Sequence, residues 1–271
     1  MKNLNFAYVT DTRLADDGIN IANKLELCDK DADFRCIVHG GNALCGNNPE
    51  KISVKLLEME YNRFKNSVRS GILLPVQGNT DGWRNERFKG QLAVNIMTDK
   101  VWSEAISFTN QYKGLKRKAE NPYYYIDFKE EKVRFIILCS YFYEYDEKFE
   151  LFEKFKGFKA SQLKWLINDA LDVPKGYRVV IFSHSVPKSR FENGKDPFIY
   201  NSWSTEQNLI ILQQAQRHKG VKIAAWISGG YNNEEAVNIG GINFVTLNEL
   251  CVYNCSLTAN TLTLNDISVS F

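Results

Sequence analysis

The sequence alternates short apolar segments, typical of buried strands, with longer segments of helical periodicity, and this order constrains its fold more than any other feature. Residues 4–10 (LNFAYVT) and 34–40 (FRCIVHG) each predict a strand, and residues 16–28 between them predict a helix. A second helix is predicted to follow, with Asn48 as its N-cap and Pro49 at its first helical position. A strand–helix–strand–helix order favours a mostly parallel sheet with helices packed on it.

The rest of the chain continues this pattern and adds antiparallel strands. Strands are predicted over residues 72–78, 177–185 and 221–230, a hairpin over 123–139, and helices over 98–112, 159–174 and 204–218. Thr98 is the predicted N-cap of the first of these helices. The aromatic run 141–155 favours a helix that contributes to the core, with a binding rim as the alternative. We expect one domain over residues 1–271, with a β-rich C-terminal segment from about residue 241.

Composition excludes several classes of function. With 44% hydrophobic residues, a chain of 271 residues can bury a large core. Its 34 basic and 32 acidic residues nearly balance, and the short basic run 113–118 predicts no nucleic-acid groove. The first apolar run is too short for a signal peptide, and no stretch approaches the roughly 18 apolar residues of a membrane span. We expect a soluble protein of the cytoplasm or of a virion, with its six cysteines as free thiols.

Polar side chains and glycines follow five of the predicted strands. They form the segments TDTR (10–13), HGGNALCG (39–46), QGNTDGW (77–83), SHS (183–185) and SGGYN (228–232). Because ligand chemistry in α/β sheets gathers at the carboxyl ends of the strands, the sequence predicts a functional site where these segments meet.

The order and spacing of these five segments resemble the calcineurin-like metallophosphoesterases, especially their bacterial and phage-associated branch. The family motifs run Asp-x-His, Gly-Asp, Gly-Asn-His-Asp/Glu, a lone histidine after a buried strand, and Gly-His-x-His. The resemblance covers about residues 3–247. It implies an α/β fold in which two packed mixed β-sheets are flanked by helices, an αββα sandwich. It also implies a dinuclear metal centre at which a bound hydroxide attacks phosphorus.

Only part of the family's ligand set is retained. Asp11 matches the first-motif aspartate, Asn79 the amide ligand of the third motif, and His184 the lone histidine. The other ligand positions are substituted: Arg13 stands for the first histidine, Asn42 for the bridging aspartate, Thr80 for the histidine that assists the leaving group, and Gly230 and Asn232 for both histidines of the last motif.

These substitutions act against metal binding. Two divalent cations need anionic and imidazole ligands to offset their desolvation, which costs several kcal/mol per ion. Asn42 offers a neutral amide, and Arg13 is always cationic and cannot coordinate. We expect Arg13 to pair with Asp11 and take the place of a metal, the alternative being that Arg13 points to solvent. Each retained residue also has a structural interpretation: Asp11 as a local cap, Asn79 as a turn residue and His184 as a satisfied buried histidine.

The resemblance and the losses leave two functions open. The first is a catalytically impaired phosphoesterase-like protein with a binding or structural role, associated with a prophage or phage tail. The second is a weak phosphoester hydrolase that uses one metal. No cofactor is expected; the alternative is a single divalent ion, Mn, Zn or Fe, held by Asp11, Asn79 and His184.

The sequence names no partner, and we expect none at a membrane. An anionic ligand or a protein partner at the vestigial site is the hypothesis, because Arg13 and three further basic residues, Arg84, Lys188 and Arg190, follow the strand ends.

Overall fold

The computed structural model describes residues 2–13, 16–44, 54–81, 98–118, 120–146, 151–185, 205–229 and 234–271. In chain order its strands are β1 (Leu4–Val9), β2 (Ile37–His39), β3 (Leu73–Pro75), β4 (Leu115–Lys116), β5 (Tyr124–Phe128), β6 (Val133–Ile137), β7 (Tyr141–Asp146), β8 (Leu151–Lys156), β9 (Arg178–Ser183), β10 (Lys222–Ser228), β11 (Glu235–Ile239), β12 (Ile242–Thr246), β13 (Tyr253–Leu257), β14 (Thr261–Leu264) and β15 (Ile267–Ser270). Its α-helices are α1 (Asp16–Ala32), α2 (Val54–Asn66), α3 (Asp99–Ala105), α4 (Ala160–Trp165) and α5 (Thr205–Lys219).

The described strands form two mixed sheets and one separate antiparallel pair, β7 and β8. The first sheet has the order β15-β14-β13-β1-β2-β3, and the second has the order β11-β12-β10-β9-β6-β5-β4. Strands β1, β2 and β3 run parallel, as do β6, β9, β10 and β12, while the outer strands add antiparallel pairs. Parallel strands end at a common edge, so each sheet gathers its strand-end loops on one side.

The two sheets pack face to face, and helices cover their outer surfaces. Strand β9 shows this arrangement, because all six of its residues are buried. Val180 and Phe182 point into the core between the sheets, where the ring of Phe182 lies 5.9 Å from that of Phe6 on β1. Val179 and Ile181 pack on the other side, in the cluster that includes residues of α4 and α5. Burial on both faces explains the continuous apolar run of β9 and confirms the predicted sandwich of two mixed sheets flanked by helices.

Several local predictions are confirmed. β5 and β6 form the predicted antiparallel hairpin. Thr98 is the N-cap of α3, because its hydroxyl accepts a hydrogen bond from the backbone N–H of Val101 at 3.3 Å. The predicted caps Asn48 and Pro49 lie outside the described residues. Beyond residue 241 the chain contains the strands β12 to β15.

Two predicted helices are shorter than expected. α3 ends at Ala105, and the chain continues as a 3₁₀ helix over Ser107–Gln111. α4 ends at Trp165 and is followed by a π-helical segment, Leu166–Ala170. Both changes keep the apolar side chains on the sheet while altering which backbone carbonyls are paired, a difference that hydrophobic periodicity does not encode.

The prediction of a helix for the aromatic run 141–155 is wrong. Its described residues form the antiparallel strands β7 and β8, in which Tyr141 lies opposite Lys156 and Phe142 opposite Phe155. Tyrosine and phenylalanine favour strands, and this preference overrides the stripe that suggested a helix. Tyr141 and Phe142 are buried at the start of β7.

The five described cysteines, Cys28, Cys36, Cys139, Cys251 and Cys255, are free thiols, as expected. None of the described helices combines the length and the apolar character needed to cross a bilayer.

Candidate functional site

The loops after β1, β2 and β3 are tied together by backbone contacts at the shared edge of the first sheet. The N–H of Asp11 donates to the carbonyl of Gly41 at 2.9 Å, and the N–H of Arg13 donates to that of Asn42 at 3.0 Å. Asp11 and Asn42 both adopt left-handed backbone angles, with φ of 60° and 57°. Gly78 in the loop after β3 approaches so closely that an added Cβ would lie 2.1 Å from the amide nitrogen of Asn42. The three loops therefore form one compact crevice floor.

The buried carboxylate of Asp11 is bound by donors of the protein itself. Its Oδ1 accepts a hydrogen bond from Nδ2 of Asn42 at 2.6 Å, and Nη2 of Arg13 lies 3.3 Å from the same oxygen. Its Oδ2 accepts from the hydroxyl of Thr10 at 2.8 Å. The predicted pairing of Arg13 with Asp11 is present.

Arg13 has a second acidic partner. Its Nη2 also donates to Oε1 of Glu249 at 2.8 Å, and 43% of the Arg13 side chain is exposed. Burial raises the pKa of Glu249, as does the charge of Asp11, whereas Arg13 lowers it. Glu249 was absent from the sequence-based set, because it lies in the chain after β12 and carries no family motif. Two carboxylates thus lie against the single guanidinium.

The side chain of Asn42 joins the loops after β1 and β3. While its Nδ2 donates to Asp11, its Oδ1 accepts a hydrogen bond from the backbone N–H of Thr80 at 2.8 Å. The hydroxyl of Thr80 in turn donates to the carbonyl of Leu44 at 2.8 Å. Both substituted residues serve as hydrogen-bonded links between loops, and the polar atoms of the Asn42 amide are already in use.

Asp81 is the main site residue that was not singled out from the sequence. Its buried carboxylate accepts three backbone hydrogen bonds, from Gly78 at 2.7 Å and from Asn42 and Leu44 at 2.9 Å each. Burial raises the pKa of Asp81 to about 6, although these hydrogen bonds oppose the rise. The signal available in the sequence was that the Asp/Glu at the end of the third motif, in the resemblance described above, matches Asp81.

His184 lies at the end of β9 and is buried. Its Nδ1 is 2.8 Å from the carbonyl oxygen of Gly40, which can only accept, so Nδ1 carries a proton. Metal-binding histidines are commonly oriented by such a contact. Asn79, half-buried, follows β3 in the same set of loops. Gly230 and Asn232, like Arg84, Lys188 and Arg190, lie outside the described residues.

His39 lies beneath this crevice floor. Its Nδ1 accepts from the N–H of Gly41 at 3.3 Å, which places the ring proton on Nε2, 3.0 Å from the hydroxyl of Thr12. Burial lowers the pKa of His39 to about 4. The ring is therefore neutral at ordinary pH and supports the loop backbone from below.

The described residues do not fit the dinuclear centre that the resemblance implies. In the described ranges no three His, Cys, Asp or Glu side chains are close enough together to hold a metal ion. An ion at Asp11 would have to displace the Asn42 amide and approach the Arg13 guanidinium. Glycine and asparagine at positions 230 and 232 supply no imidazole, and the third histidine of the chain, His218, lies on α5.

Comparison with known proteins identifies the fold through structure alone. No family model matches the sequence, and neither does any curated protein. The structure is similar to a dimetal phosphatase from Danio rerio, with a TM-score of 0.62 and 15% identity over 99% of each chain. It is also similar to PhoD, with a TM-score of 0.59 and 11% identity over 97% of this chain and 65% of that one.

A third solved structure is GAP50, described as the anchor in the inner membrane complex of Plasmodium. Its TM-score is 0.53 with 13% identity, over all of this chain and 89% of the other. Together with the two mixed sheets and the loops gathered at the strand ends, these similarities show that the chain has the calcineurin-like metallophosphoesterase fold.

Proposed function

We propose that this chain is a pseudoenzyme of the phosphoesterase fold, which acts by binding or as a structural part of an assembly. The observation that carries the proposal is the 2.6 Å hydrogen bond from Nδ2 of Asn42 to Oδ1 of Asp11. In the family this position holds a carboxylate shared by two metals. Here it holds an amide whose donor group faces the remaining carboxylate, so the oxygen that would bind a cation already accepts a hydrogen bond.

The charge of Arg13 acts in the same direction. At about 4 Å and an effective dielectric constant of about 20, a guanidinium repels each unit of charge on an ion by roughly 4 kcal/mol. A carboxylate at a similar distance attracts the ion by the same amount. Because Arg13 lies against Asp11, it opposes the attraction of the one anionic ligand that is retained, although Glu249 also contacts Arg13 and limits this repulsion.

Two different observations support a role in an assembly. GAP50 has this fold and is described as an anchor, so the fold serves purposes other than hydrolysis. The motif order resembles the phage-associated branch of the family, and a composition with 13 tyrosines and 17 phenylalanines beside many lysines and asparagines is typical of an AT-rich genome. We therefore place the chain with a prophage or phage tail.

A weak phosphoester hydrolase with a single metal is the second candidate. It is favoured by His184, whose Nδ1 donates to the carbonyl of Gly40, a contact of the kind that commonly orients metal-binding histidines. Asn79, with Asp11, would complete this set, and the ion would be Mn, Zn or Fe. Such an ion would supply a Lewis acid for the phosphoryl oxygen.

Metal content and turnover separate the two candidates. The purified chain would be titrated with Mn²⁺ and Zn²⁺ by calorimetry, analysed for bound metals, and assayed with bis(4-nitrophenyl) phosphate in added Mn²⁺. The pseudoenzyme predicts no stoichiometric ion and no turnover above buffer. Two ions per chain would overturn it.

The single-metal candidate predicts one ion and slow turnover that are both lost in His184→Ala and in Asn79→Ala. Asn62→Ala, on the exposed side of α2, is the matched control and should leave both unchanged.

A further inference from the structure

A cavity of about 170 Å³ lies between the π-helical segment and α5, on the outer face of the second sheet. α5 ends at Lys219, shortly before β10 begins at Lys222. Between them, the N–H of Val221 donates to the carbonyl of Ala215. This end of α5 therefore lies at the amino ends of the parallel strands. The crevice of Asp11 and His184 lies at their carboxyl ends, so the cavity is a separate place in the molecule.

In the π-helical segment, one backbone carbonyl at the rim of this cavity accepts a hydrogen bond from a side chain. The N–H of Leu171 donates to Leu166, five residues back, at 2.9 Å, and the N–H of Asp172 donates to Asp169 at 3.3 Å. Neither donates to the carbonyl of Ile167, which accepts instead from Nζ of Lys219 at 2.9 Å. The carbonyl of Ile167 thereby holds the exposed ammonium group of Lys219 at the cavity mouth, and the same nitrogen has two further N–H donors.

Arg134 holds the wall of the cavity in place. Its buried guanidinium donates to the carbonyls of Ala170 at 3.0 Å and Asp172 at 2.9 Å. It is itself held by two hydrogen bonds to Asp127, at 2.7 and 2.8 Å, and lies 3.8 Å from the ring centre of Tyr125. A site whose wall is braced in this way is preformed, which lowers the entropy lost on binding.

The lining of the cavity selects a kind of ligand. Its floor is apolar and its rim is polar, the floor being formed by Ile167, Leu171, Ile211 and Ala215 and the rim by Gln214, His218 and Lys219. No carboxylate is among these lining residues, so the fixed charge at the site is positive. An engineered apolar cavity of about 150 Å³ is large enough to bind benzene. The volume here suits one six-membered ring.

We propose that this cavity binds a small organic carboxylate whose apolar body is the size of one ring. The body packs on Leu171, Ile211 and Ala215, and the carboxylate lies at Lys219, within reach of the Gln214 amide. Burial of the ring supplies most of the affinity. The ammonium group of Lys219 favours an anionic ligand over a cationic one.

Three isosteric probes test the sign of charge on the full-length chain. Benzoate, benzamide and benzamidine would be titrated while the backbone amide shifts are followed by NMR. We expect benzoate to bind with a dissociation constant of about 1 mM, with shifts at Ile211, Ala215 and Lys219, and benzamide to bind about tenfold more weakly. Benzamidine should not saturate. Equal binding of benzoate and benzamidine, or the absence of saturable shifts at these amides, would overturn the proposal.

Two variants assign the binding to this cavity. Lys219→Met should reduce benzoate affinity to that of benzamide while leaving benzamide unchanged, and Lys222→Met, at the exposed start of β10, is the matched control. Ala215→Phe should fill the cavity and abolish binding of both probes. If Ala215→Phe does not fold, the charge selectivity of Lys219→Met decides the question. Benzoate shifts that map to Arg13 and Glu249 would assign the anion site to the crevice and refute this one.

Discussion

The side-chain amide of Asn42 donates a 2.6 Å hydrogen bond to the buried carboxylate of Asp11. The same amide accepts the N–H of Thr80, so one neutral side chain connects the loops after β1 and β3. The loops after β1 and β3 are therefore connected by a hydrogen-bonded amide. This contact supports our proposal that position 42 now links the loops and does not bind a metal.

Replacing Asn42 by aspartate tests this connection. Asn42→Asp places a second carboxylate against Asp11 and removes the donor, so we expect the free energy of unfolding to fall by about 1–3 kcal/mol in metal-free buffer. Arg13 remains beside Asp11, and Mn²⁺ should therefore restore little of the loss. Urea unfolding with and without Mn²⁺ measures both effects. Asn62→Asp on exposed α2 is the control, and an Asn42→Asp chain as stable as the parent would refute the assigned hydrogen bond.

The lowered pKa of His39 predicts that the protein loses stability in acid. Burial lowers its pKa to about 4 from the usual 6.5, so between these values the unfolded chain binds a proton that the folded chain does not. The stabilisation is complete above pH 6.5 and is lost as the pH falls through 4. The shift corresponds to about 3 kcal/mol. Urea unfolding across this range should show a weaker acid loss in His39→Gln, and identical slopes in the two chains would exclude His39 as the cause.

The raised pKa of Asp81 predicts an effect of pH on stability of the opposite sign. Its pKa is raised to about 6 from the usual 3.8, so between these values the folded chain holds a proton that the unfolded chain has released. This contribution is fully present below pH 3.8 and is lost as the pH rises through 6. Asp81→Asn removes it, and the variant should lose stability in acid more steeply than the parent. It should also be less stable at neutral pH by about 1–3 kcal/mol, because the asparagine amide has one acceptor oxygen for the three backbone N–H groups and turns its own NH₂ toward at least one of them.

Much of the fold was predictable because its signals are local. The strand β1, the hairpin β5–β6 and the cap at Thr98 each depend on residues a few positions apart. The π-helical segment was not predictable in this way, because it depends on which carbonyls Arg134 and Lys219 take from distant parts of the chain. Periodicity reports which face is apolar and says nothing of the backbone pairing beneath it.

The contacts of the candidate site also differ in whether the sequence could predict them. The contact of Arg13 with Asp11 was predictable, because the two residues are two positions apart at a strand end and opposite in charge. The contact with Glu249 spans 236 positions and has no sequence signature. A motif comparison could have identified Asp81. The direction of the Asn42 amide could not be predicted in this way, because it depends on where Asp11 and Thr80 lie in space.

The family ligand set should be recoverable, because the described loops after β1, β2 and β3 converge. A variant that carries Arg13→His, Asn42→Asp, Thr80→His, Gly230→His and Asn232→His would regain the motif letters at all five substituted positions. We expect it to bind Mn²⁺ or Zn²⁺ where the parent does not, and to hydrolyse bis(4-nitrophenyl) phosphate at a detectable rate. The physical reason is that Asp11, the carboxylate introduced at position 42 and the new imidazoles would supply the ligands and the charge that the Arg13 guanidinium and the Asn42 amide now oppose.

Folding has to be separated from ligand chemistry in this test. Gly230→His carries the greatest risk, since a backbone angle that only glycine tolerates would make the change destabilising. The variant that keeps Gly230 and carries the other four changes is therefore measured beside it, and near-UV circular dichroism reports the tertiary packing of both. If either chain folds like the parent and still binds no Mn²⁺ or Zn²⁺, these positions do not correspond to the ligands of the family.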